Sequence, residues 1–395
     1  MKIKILLLLT ITLYSNILLA QIKQYPLKAK ANSSLNKEDW FQKLQRVEKP
    51  INDEHNTLDL TAIKQELKEK YNKTNTYKKK NQNRSNVDAP LFLLGLEGNT
   101  YNNSVPNDND IAVSNSGYLI SVMNSTLFKY DLNADTLMGK ISLQSFSSAL
   151  GNVQDKYDPK CIYDPEQNKF IVVYLAGFTP TTSSIIVAFS ETDNPNGNWN
   201  YYELPGDPLN DTLWTDYPII AMTHNELFIT VNLLLENEPW QTGWIKSIIW
   251  QVNKEDGYNG DSLTTQLHSD ISFNNRRIRN LCAVKGGSQL YGPDIYFLSQ
   301  RNLDPMNDSI FIIHLTDTIG SANQELNVTV SKADNSYFLP IDGEQIGGTY
   351  APLATNDSRV LGAFIENDKI QFVGNTTDTF TNTSACYHGI ISNLN

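Results

Sequence analysis

The sequence predicts an all-β fold: a β-propeller of four-stranded antiparallel blades, five of them visible, preceded by a short helical segment. Three observations carry this expectation. The stretch Asp158–Leu204 divides into four short apolar or alternating runs separated by turn formers, with Asp164-Pro-Glu-Gln-Asn and Asp193-Asn-Pro-Asn-Gly among the breaks. Val, Ile, Phe and Tyr suit a pleated, half-buried surface, whereas Asp-Pro and Asn-Gly interrupt it. The same order of runs recurs from Asp110, Asp216, Arg279 and Tyr350, so that successive starts lie 48, 58, 63 and 71 residues apart. A four-stranded meander cannot bury both faces alone, and radial packing of repeated meanders solves that problem. Third, helical periodicity is scarce after Asp88, in a chain of 395 residues whose 40% hydrophobic content can fill a core.

In chain order, Met1–Gln21 reads as an export signal. Lys2 and Lys4 precede apolar runs, and Leu18-Leu19-Ala20 offers a cleavage site. Tyr14-Ser15-Asn16 interrupts the apolar run, which favours a cleaved signal peptide (1–20) over a retained membrane helix, and no Cys follows Ala20 to carry a lipid anchor. No later stretch is long and apolar enough to span a bilayer as a helix.

Residues 21–88 form a separate helical and basic segment with a linker. Asn36-Lys-Glu-Asp39 can cap a helix bearing Trp40, Phe41, Leu44 and Val47, which Pro50 ends. A second helix would place Leu60, Ile63, Leu67 and Tyr71 on one face. Tyr77–Arg84 is polar and basic, as in an exposed linker.

The propeller domain is expected over 89–395. Pro90–Leu96 is a strand-like opening. The first repeat has strands at Ile111–Val113, Tyr118–Met123, Thr126–Tyr130 and Leu137–Leu143. The second begins at Asp158 and the third at Asp216, continuing through Glu226–Asn232 and, after an insertion, Trp244–Val252. The fourth runs Arg279–Val284, Pro293–Ser299, Ser309–Leu315 and Leu326–Val330. The fifth runs Tyr350–Ala354, Arg359–Ile365, Lys369–Val373 and Tyr387–Ile391. The chain stops at Asn395 directly after that last run, so either the sequence continues further in nature or the 90–96 strand closes the ring.

Charge is divided unevenly. Residues 21–88 carry 15 Lys/Arg against 9 Asp/Glu, a net +6, and residues 89–395 carry 15 against 34, a net −19. An acidic main domain does not suit nucleic acid, whose phosphates require Lys and Arg. It suits an exported protein, or one whose loops hold Ca²⁺.

Several residues could carry chemistry. Asn107-Asp108-Asn109-Asp110 and Asp256–Asp261 supply clustered oxygens near turns, as Ca²⁺ requires, with Asp108 and Asp110 the possible ligands; neither matches a full EF-hand loop. Asp110, Asp158 and Asp216 recur at strand starts and either converge as glycosidase carboxylates or cap each blade. The five histidines show no metal spacing. Cys161 and Cys282 hold matching repeat positions on inner strands and read as buried thiols; with Cys386 they are too few for a disulfide framework. Trp214, Tyr217, Trp240 and Trp244 lie in or beside the longest insertion, Asn232–Ile245, where aromatic faces could stack on sugar rings or peptides. Asp-Ser/Thr-apolar triplets such as Asp135-Thr-Leu and Asp317-Thr-Ile resemble bacterial O-glycosylation acceptors, and also ordinary turns.

The Asp-Tyr-Pro phrase of the third repeat, Asn107-Asp-Asn-Asp-Ile-Ala-Val and the turn Ser190-Glu-Thr-Asp193-Asn-Pro-Asn-Gly197-Asn-Trp199 together resemble secreted bacterial β-propellers of the sialidase-like, Asp-box kind. The resemblance covers about residues 90–395. It departs from the Asp-box in spacing, since Gly197 stands four residues after Asp193. It implies a structural turn, with Asp193 accepting backbone N–H bonds, Gly197 taking positive φ and Trp199 packing between sheets. A sialidase of this kind would need an arginine cluster for a carboxylate, a Tyr activated by Glu and an Asp acid. Here the arginines after the linker are Arg276, Arg277, Arg279, Arg301 and Arg359. Three crowd one segment, and the family's Arg-Ile-Pro phrase is missing.

The expected function is therefore an exported, non-catalytic recognition or adhesion module, secreted or at the cell surface, whose propeller loops bind an extracellular glycan or protein. The alternative is a sialidase-like glycoside hydrolase using loop carboxylates. A scaffold without a small ligand is the third possibility.

Overall fold

The structure is a computed structural model that describes residues 60–74, 95–99, 106–151, 154–345, 350–392 and 394, with the backbone of residues 31–34. Five antiparallel meanders stack as blades of a propeller. Blade I comprises β2 (Asp110–Val113), β3 (Tyr118–Met123), β4 (Thr126–Asp131) and β5 (Thr136–Ser142). Blade II comprises β6 (Lys156–Asp164), β7 (Lys169–Ala176), β8 (Ser184–Ser190) and β9 (Asn198–Pro205); β1 (Ala31–Ser34) pairs antiparallel along the outer edge of β9 as a fifth strand. Blade III holds β10 (Leu213–Met222), β11 (Glu226–Leu235), β12 (Trp244–Asn253) and β13 (Thr265–His268).

Between blades III and IV runs a small ribbon, β14 (Ser272–Phe273) with β15 (Arg276–Arg277). Its tip, Asn274-Asn275, has φ of 50° and 59°, the double positive-φ turn that matches strand twist. Blade IV holds β16 (Cys282–Ala283), β18 (Ile295–Gln300), β19 (Met306–Leu315) and β20 (Leu326–Phe338). Blade V departs from the expected pattern. Its chain-sequential strands are β21 (Val360–Glu366), β22 (Lys369–Asp378) and β23 (Thr383–Ile391), and its fourth is β17 (Lys285–Gly286), which continues from β16 and pairs parallel with β21. The expected strand at Tyr350–Ala354 is absent, leaving only an isolated bridge between Gly343 and Leu353. The strand leaving blade IV already occupies the position it would have filled.

Each junction between consecutive blades encloses its own apolar cluster. Ile120, Val122 and Leu127 meet Phe170, Val172 and Trp199 between blades I and II. Ile171, Val173 and Val187 meet Ile229, Val231 and Trp250 between II and III. Phe228 and Ile249 meet Phe297 and Phe311 between III and IV, and Leu298 and Ile310 meet Val360 and Phe372 between IV and V. Because side chains alternate along a strand, one run feeds two clusters. In β7, Ile171 and Val173 face blade III while Phe170 and Val172 face blade I. The opposite faces of the terminal blades leave Ile111 and Val113 on blade I, and Leu361, Phe364, Val373 and Ile390 on blade V, exposed. Of the expected opening strand, 90–94 lies outside the described residues, and 95–96 are not in a strand.

Helix α1 (Leu60–Thr74) confirms the second helical expectation. It docks where blade IV passes into blade V: Leu67 is buried, Tyr71 meets Phe338 edge-on at 6.1 Å, and Lys64 Nζ donates to Asp342 Oδ1 at 2.7 Å and Thr355 Oγ1 at 3.1 Å. The helix expected near 36–50 lies outside the described residues. Among the described residues no helix is long and apolar enough to cross a membrane.

The motif-like turn of blade II connects β8 to β9, its third and fourth strands. Trp199 is fully buried, meets Phe146 edge-on at 5.1 Å, and its Nε1 donates to Pro195 O at 3.4 Å. Asp193 does not hold the turn's backbone; its carboxylate accepts from Ser116 Oγ of blade I. Backbone N–H groups go instead to Asn194 Oδ1, from Asn196 at 3.0 Å, and to Thr192 Oγ1, from Asn194 at 3.3 Å. Gly197 is outside the positive-φ residues. It is glycine for space, because a Cβ there would stand 3.1 Å from Asn194 O and 3.2 Å from Thr192 Oγ1.

Candidate functional site

The first chain-sequential strand of each blade contains or follows a residue held at positive φ: Asp108 (44°), Asp158 (50°), Tyr217 (57°), Asn280 (52°) and Asn356 (51°). Asp and Asn tolerate this region because their short polar side chains bond locally. Tyr217 has no such excuse. It sits in a register break of the β10–β11 pairing between Asp216 and Ile219, and Pro218 follows it. A bulge with an αL residue re-aims a side chain at a cost of roughly 1–3 kcal/mol, and such outliers gather at functional sites.

The re-aimed ring lies 4.4 Å from the Arg359 guanidinium carbon. Arg359 is itself buried and clamped by fully buried Asp357: Nε donates to Oδ1 at 2.6 Å and Nη2 to Oδ2 at 2.9 Å. Burial alone would lower the Arg359 pKa, but Asp357, then Tyr217, outweigh it and leave the group above its ordinary value. Burial pushes the Tyr217 phenol up to about 12 against the opposing pull of Arg359, so it is a neutral hydroxyl at physiological pH.

The insertion after β11 folds back over this corner. A short helix (Trp240–Gly243) presents Trp240, whose ring lies 5.0 Å from the Arg359 guanidinium and 5.4 Å from that of Arg279. Arg279 holds the insertion in place, donating through Nη1 to Gln241 O at 3.0 Å and through Nη2 to Trp240 O. Trp244, on the other side, stands 5.4 Å from the same guanidinium and donates to Ser247 Oγ at 3.2 Å. Burial lowers the Arg279 pKa to about 10, with Asp357 opposing.

Beside the two arginines lies a group of amides. Asn232 Nδ2 donates to Asn280 Oδ1, and Asn232 Oδ1 accepts from Ser247 Oγ at 2.7 Å. Ser299 Oγ donates to Arg279 O, and Asn302 O accepts from Ser358 N at 3.0 Å. Gln300 reaches across to blade V: a Cβ on Gly374 would lie 3.3 Å from Gln300 Oε1 and 2.7 Å from Arg359 O.

Among the described residues, seven buried side-chain polar atoms of this corner have no protein hydrogen-bond partner. They are Arg279 Nε, Asn280 Nδ2, Gln241 Oε1, and both amide atoms of Gln300 and Asn302. Each such group costs about 1–3 kcal/mol if left unsatisfied, so their concentration demands an explanation.

Of the residues expected to bind, Tyr217, Trp240 and Trp244 come together around Arg279 and Arg359. Trp214 does not join them: it is buried in the core between blades II and III and donates to Leu235 O at 3.2 Å. Asp108 and Asp110 lie on blade I, where their carboxylates accept from Asn124 Nδ2 (2.6 Å) and from Cys161 N (3.1 Å). Among the described residues no group of three or more His, Cys, Asp or Glu side chains is placed to hold a metal. The Asp256–Asp261 segment is largely helical, within the short helix Lys254–Asn259, with Gly260 as its left-handed C-cap at φ 73°. Cys161 and Cys282 are buried free thiols, the latter pushed up to about 12 by burial, and Cys386 is exposed and free.

Sequence reasoning missed Arg279 and Arg359 as partners, and Asp357, Gln300 and Asn302 entirely. One signal was present: Arg279 opens the first run of the fourth repeat and Arg359 the second run of the fifth.

No protein-family description matches the chain, and no curated protein matches it. Among solved structures, it is similar to the subtype N11 neuraminidase-like protein of A/flat-faced bat/Peru/033/2010 (TM-score 0.33, 10% identity, covering 71% of this chain and 66% of that one). It is also similar to an exo-beta-1,3-galactanase from Clostridium thermocellum (0.35, 11%, 73% and 59%). A third is the alpha-L-arabinanase of Cellvibrio cellulosa complexed with arabinohexaose (0.31, 13%, 71% and 90%). The first two matches span less than two thirds of those proteins' own lengths.

Proposed function

We propose that the protein is an exported recognition module that binds a glycan, without cleaving it, at the corner formed by Trp240, Tyr217, Arg279 and the amides of Gln300 and Asn302. The observation that carries this reading is the gathering of seven unpartnered buried polar atoms beside two half-buried aromatic rings. Sugar hydroxyls both donate and accept, and C–H faces of sugar rings pack on aromatic faces, so a glycan answers both halves of the observation. The leader-like Met1–Ala20 supports export to the cell surface or medium.

Binding is favoured over hydrolysis by the state of the ionisable groups. A glycosidase needs one carboxyl kept protonated and another free to act. Both oxygens of Asp357 are spent on Arg359, and burial raises the Tyr217 phenol rather than activating it.

A glycan array probed with the full chain, followed by hydrolysis assays on the hits, tests the reading. Trp240→Ala is expected to weaken binding by roughly 3- to 10-fold, the worth of one aromatic contact, with the protein still folded at the assay temperature. Release of reducing ends from a bound oligosaccharide would replace the reading with that of a hydrolase.

A further inference from the structure

We infer that the ligand taken at this corner is an uncharged glycan, and that the two arginines serve the architecture of the site rather than recognition of an acidic sugar. The inference rests on the glycan-binding reading above and narrows its substrate class.

Four of the six guanidinium nitrogens are already committed. Asp357 takes Nε and Nη2 of Arg359, and the backbone carbonyls of Trp240 and Gln241 take the two terminal nitrogens of Arg279. A carboxylate reaches the Nε–Nη2 edge of Arg359 only by displacing Asp357, which is fully buried and would be left without its partner. The charges also cancel: two guanidinium groups stand with Asp357 and Asp216, and both carboxylates act on Arg279. An incoming anion would meet no net positive field.

What remains unpartnered is mixed, and apart from Arg279 Nε it is neutral amide. Gln300 and Asn302 each offer one donor and one acceptor, Asn280 Nδ2 and Arg279 Nε offer donors, and Gln241 Oε1 an acceptor. An amide presents its N–H and C=O side by side, which matches a pair of neighbouring hydroxyls on a sugar ring, each able to donate to one and accept from the other. A carboxylate only accepts, and would leave Gln300 Oε1 and Asn302 Oδ1 facing like partial charge. Recognition by buried neutral amides discriminates steeply, because a ligand that cannot pair with them leaves them orphaned.

The test is calorimetric titration of the full chain with uncharged hexose and pentose oligosaccharides and with carboxylate-bearing ones, uronate oligomers and sialylated lactose, at 0.05 M and 0.5 M NaCl. The expected result is binding of an uncharged oligosaccharide whose affinity changes less than about twofold with salt, and at least tenfold weaker binding of the acidic series. Tighter binding of an acidic oligosaccharide, or affinity that falls steeply with salt, overturns the inference while leaving the glycan-binding reading intact. Binding of neither series overturns both.

Gln300→Leu and Asn302→Leu, made separately, test the amides. Each is expected to weaken the uncharged ligand by tenfold or more while the urea midpoint holds or rises, since an orphaned buried amide is removed. Two variants guard against one failing to fold. If a folded variant binds as the unmodified protein does and its urea midpoint falls, the amides hold water only and the inference fails.

Discussion

Asp357 and Arg359 show how a residue can be decisive without touching a ligand. The pair is buried, and its two hydrogen bonds satisfy both carboxylate oxygens. Removing one partner leaves an uncompensated buried charge, a loss of about 3–5 kcal/mol, whereas replacing both with apolar groups of similar volume costs much less. Asp357→Ala is therefore expected to unfold at markedly lower urea concentration than the Asp357→Leu/Arg359→Met double variant. Equal midpoints for the two would mean that the pair is not coupled. Neither residue was singled out from the sequence as one of a pair, because Asp-Ser-Arg reads as an ordinary polar turn until blade V folds over it. Tyr217 was singled out, but as an exposed ring; its positive φ and its contact with Arg359 become visible only once the bulge is formed. Gly177 is a simpler case: φ is 72°, and a Cβ would stand 2.2 Å from Thr182 O, so the loop closing β7 onto β8 needs glycine on both counts.

At the scale of elements, the strands were largely legible and their partners were not. Alternation and turn chemistry located β3, β4, β7, β8 and β18 to within a residue or two, because each of these strands is bounded by residues that cannot continue a ladder. β13 and β17 escaped, being short runs whose strand character comes only from pairing with β12 and β21. The blade II turn separates the two kinds of information. Trp199 is the anchor, fully buried against Phe146, while Asp193 makes an exposed contact with Ser116. Trp199→Ala is expected to cost about 3–5 kcal/mol and Asp193→Ala under about 1 kcal/mol, measured by equilibrium urea unfolding. A larger loss at Asp193 than at Trp199 would restore the carboxylate as the turn's organiser.

The whole molecule adds a pH dependence that no single blade carries. Buried His268 donates through Nε2 to Gln251 Oε1 at 2.9 Å, and Gln251 Nε2 donates to Glu226 Oε2 at 2.6 Å, whose other oxygen accepts from Ile319 N between blades III and IV. Burial lowers the His268 pKa from 6.5 to about 4. The unfolded chain therefore takes up a proton near pH 6.5 that the folded protein refuses until about pH 4. Stability from this group is complete above pH 6.5 and is lost as pH falls through that window, by roughly 3 kcal/mol at most. Glu226, raised chiefly by burial, acts with the opposite sign as acid is added and offsets part of the loss. His268→Gln is expected to flatten the fall in urea stability between pH 6.5 and 4; an unchanged slope would remove His268 as its source.

The sequence by itself determined the number of repeats, the strand character of most of them and the aromatic insertion, because periodicity, turn residues and loop length are local quantities. Only the tertiary structure decided that β17 crosses to blade V, that Trp214 is core while Trp240 is not, and that Arg279, Arg359, Gln300 and Asn302 meet at one corner. Those outcomes depend on which blade packs against which, and on residues of different blades sharing a few ångströms of buried space.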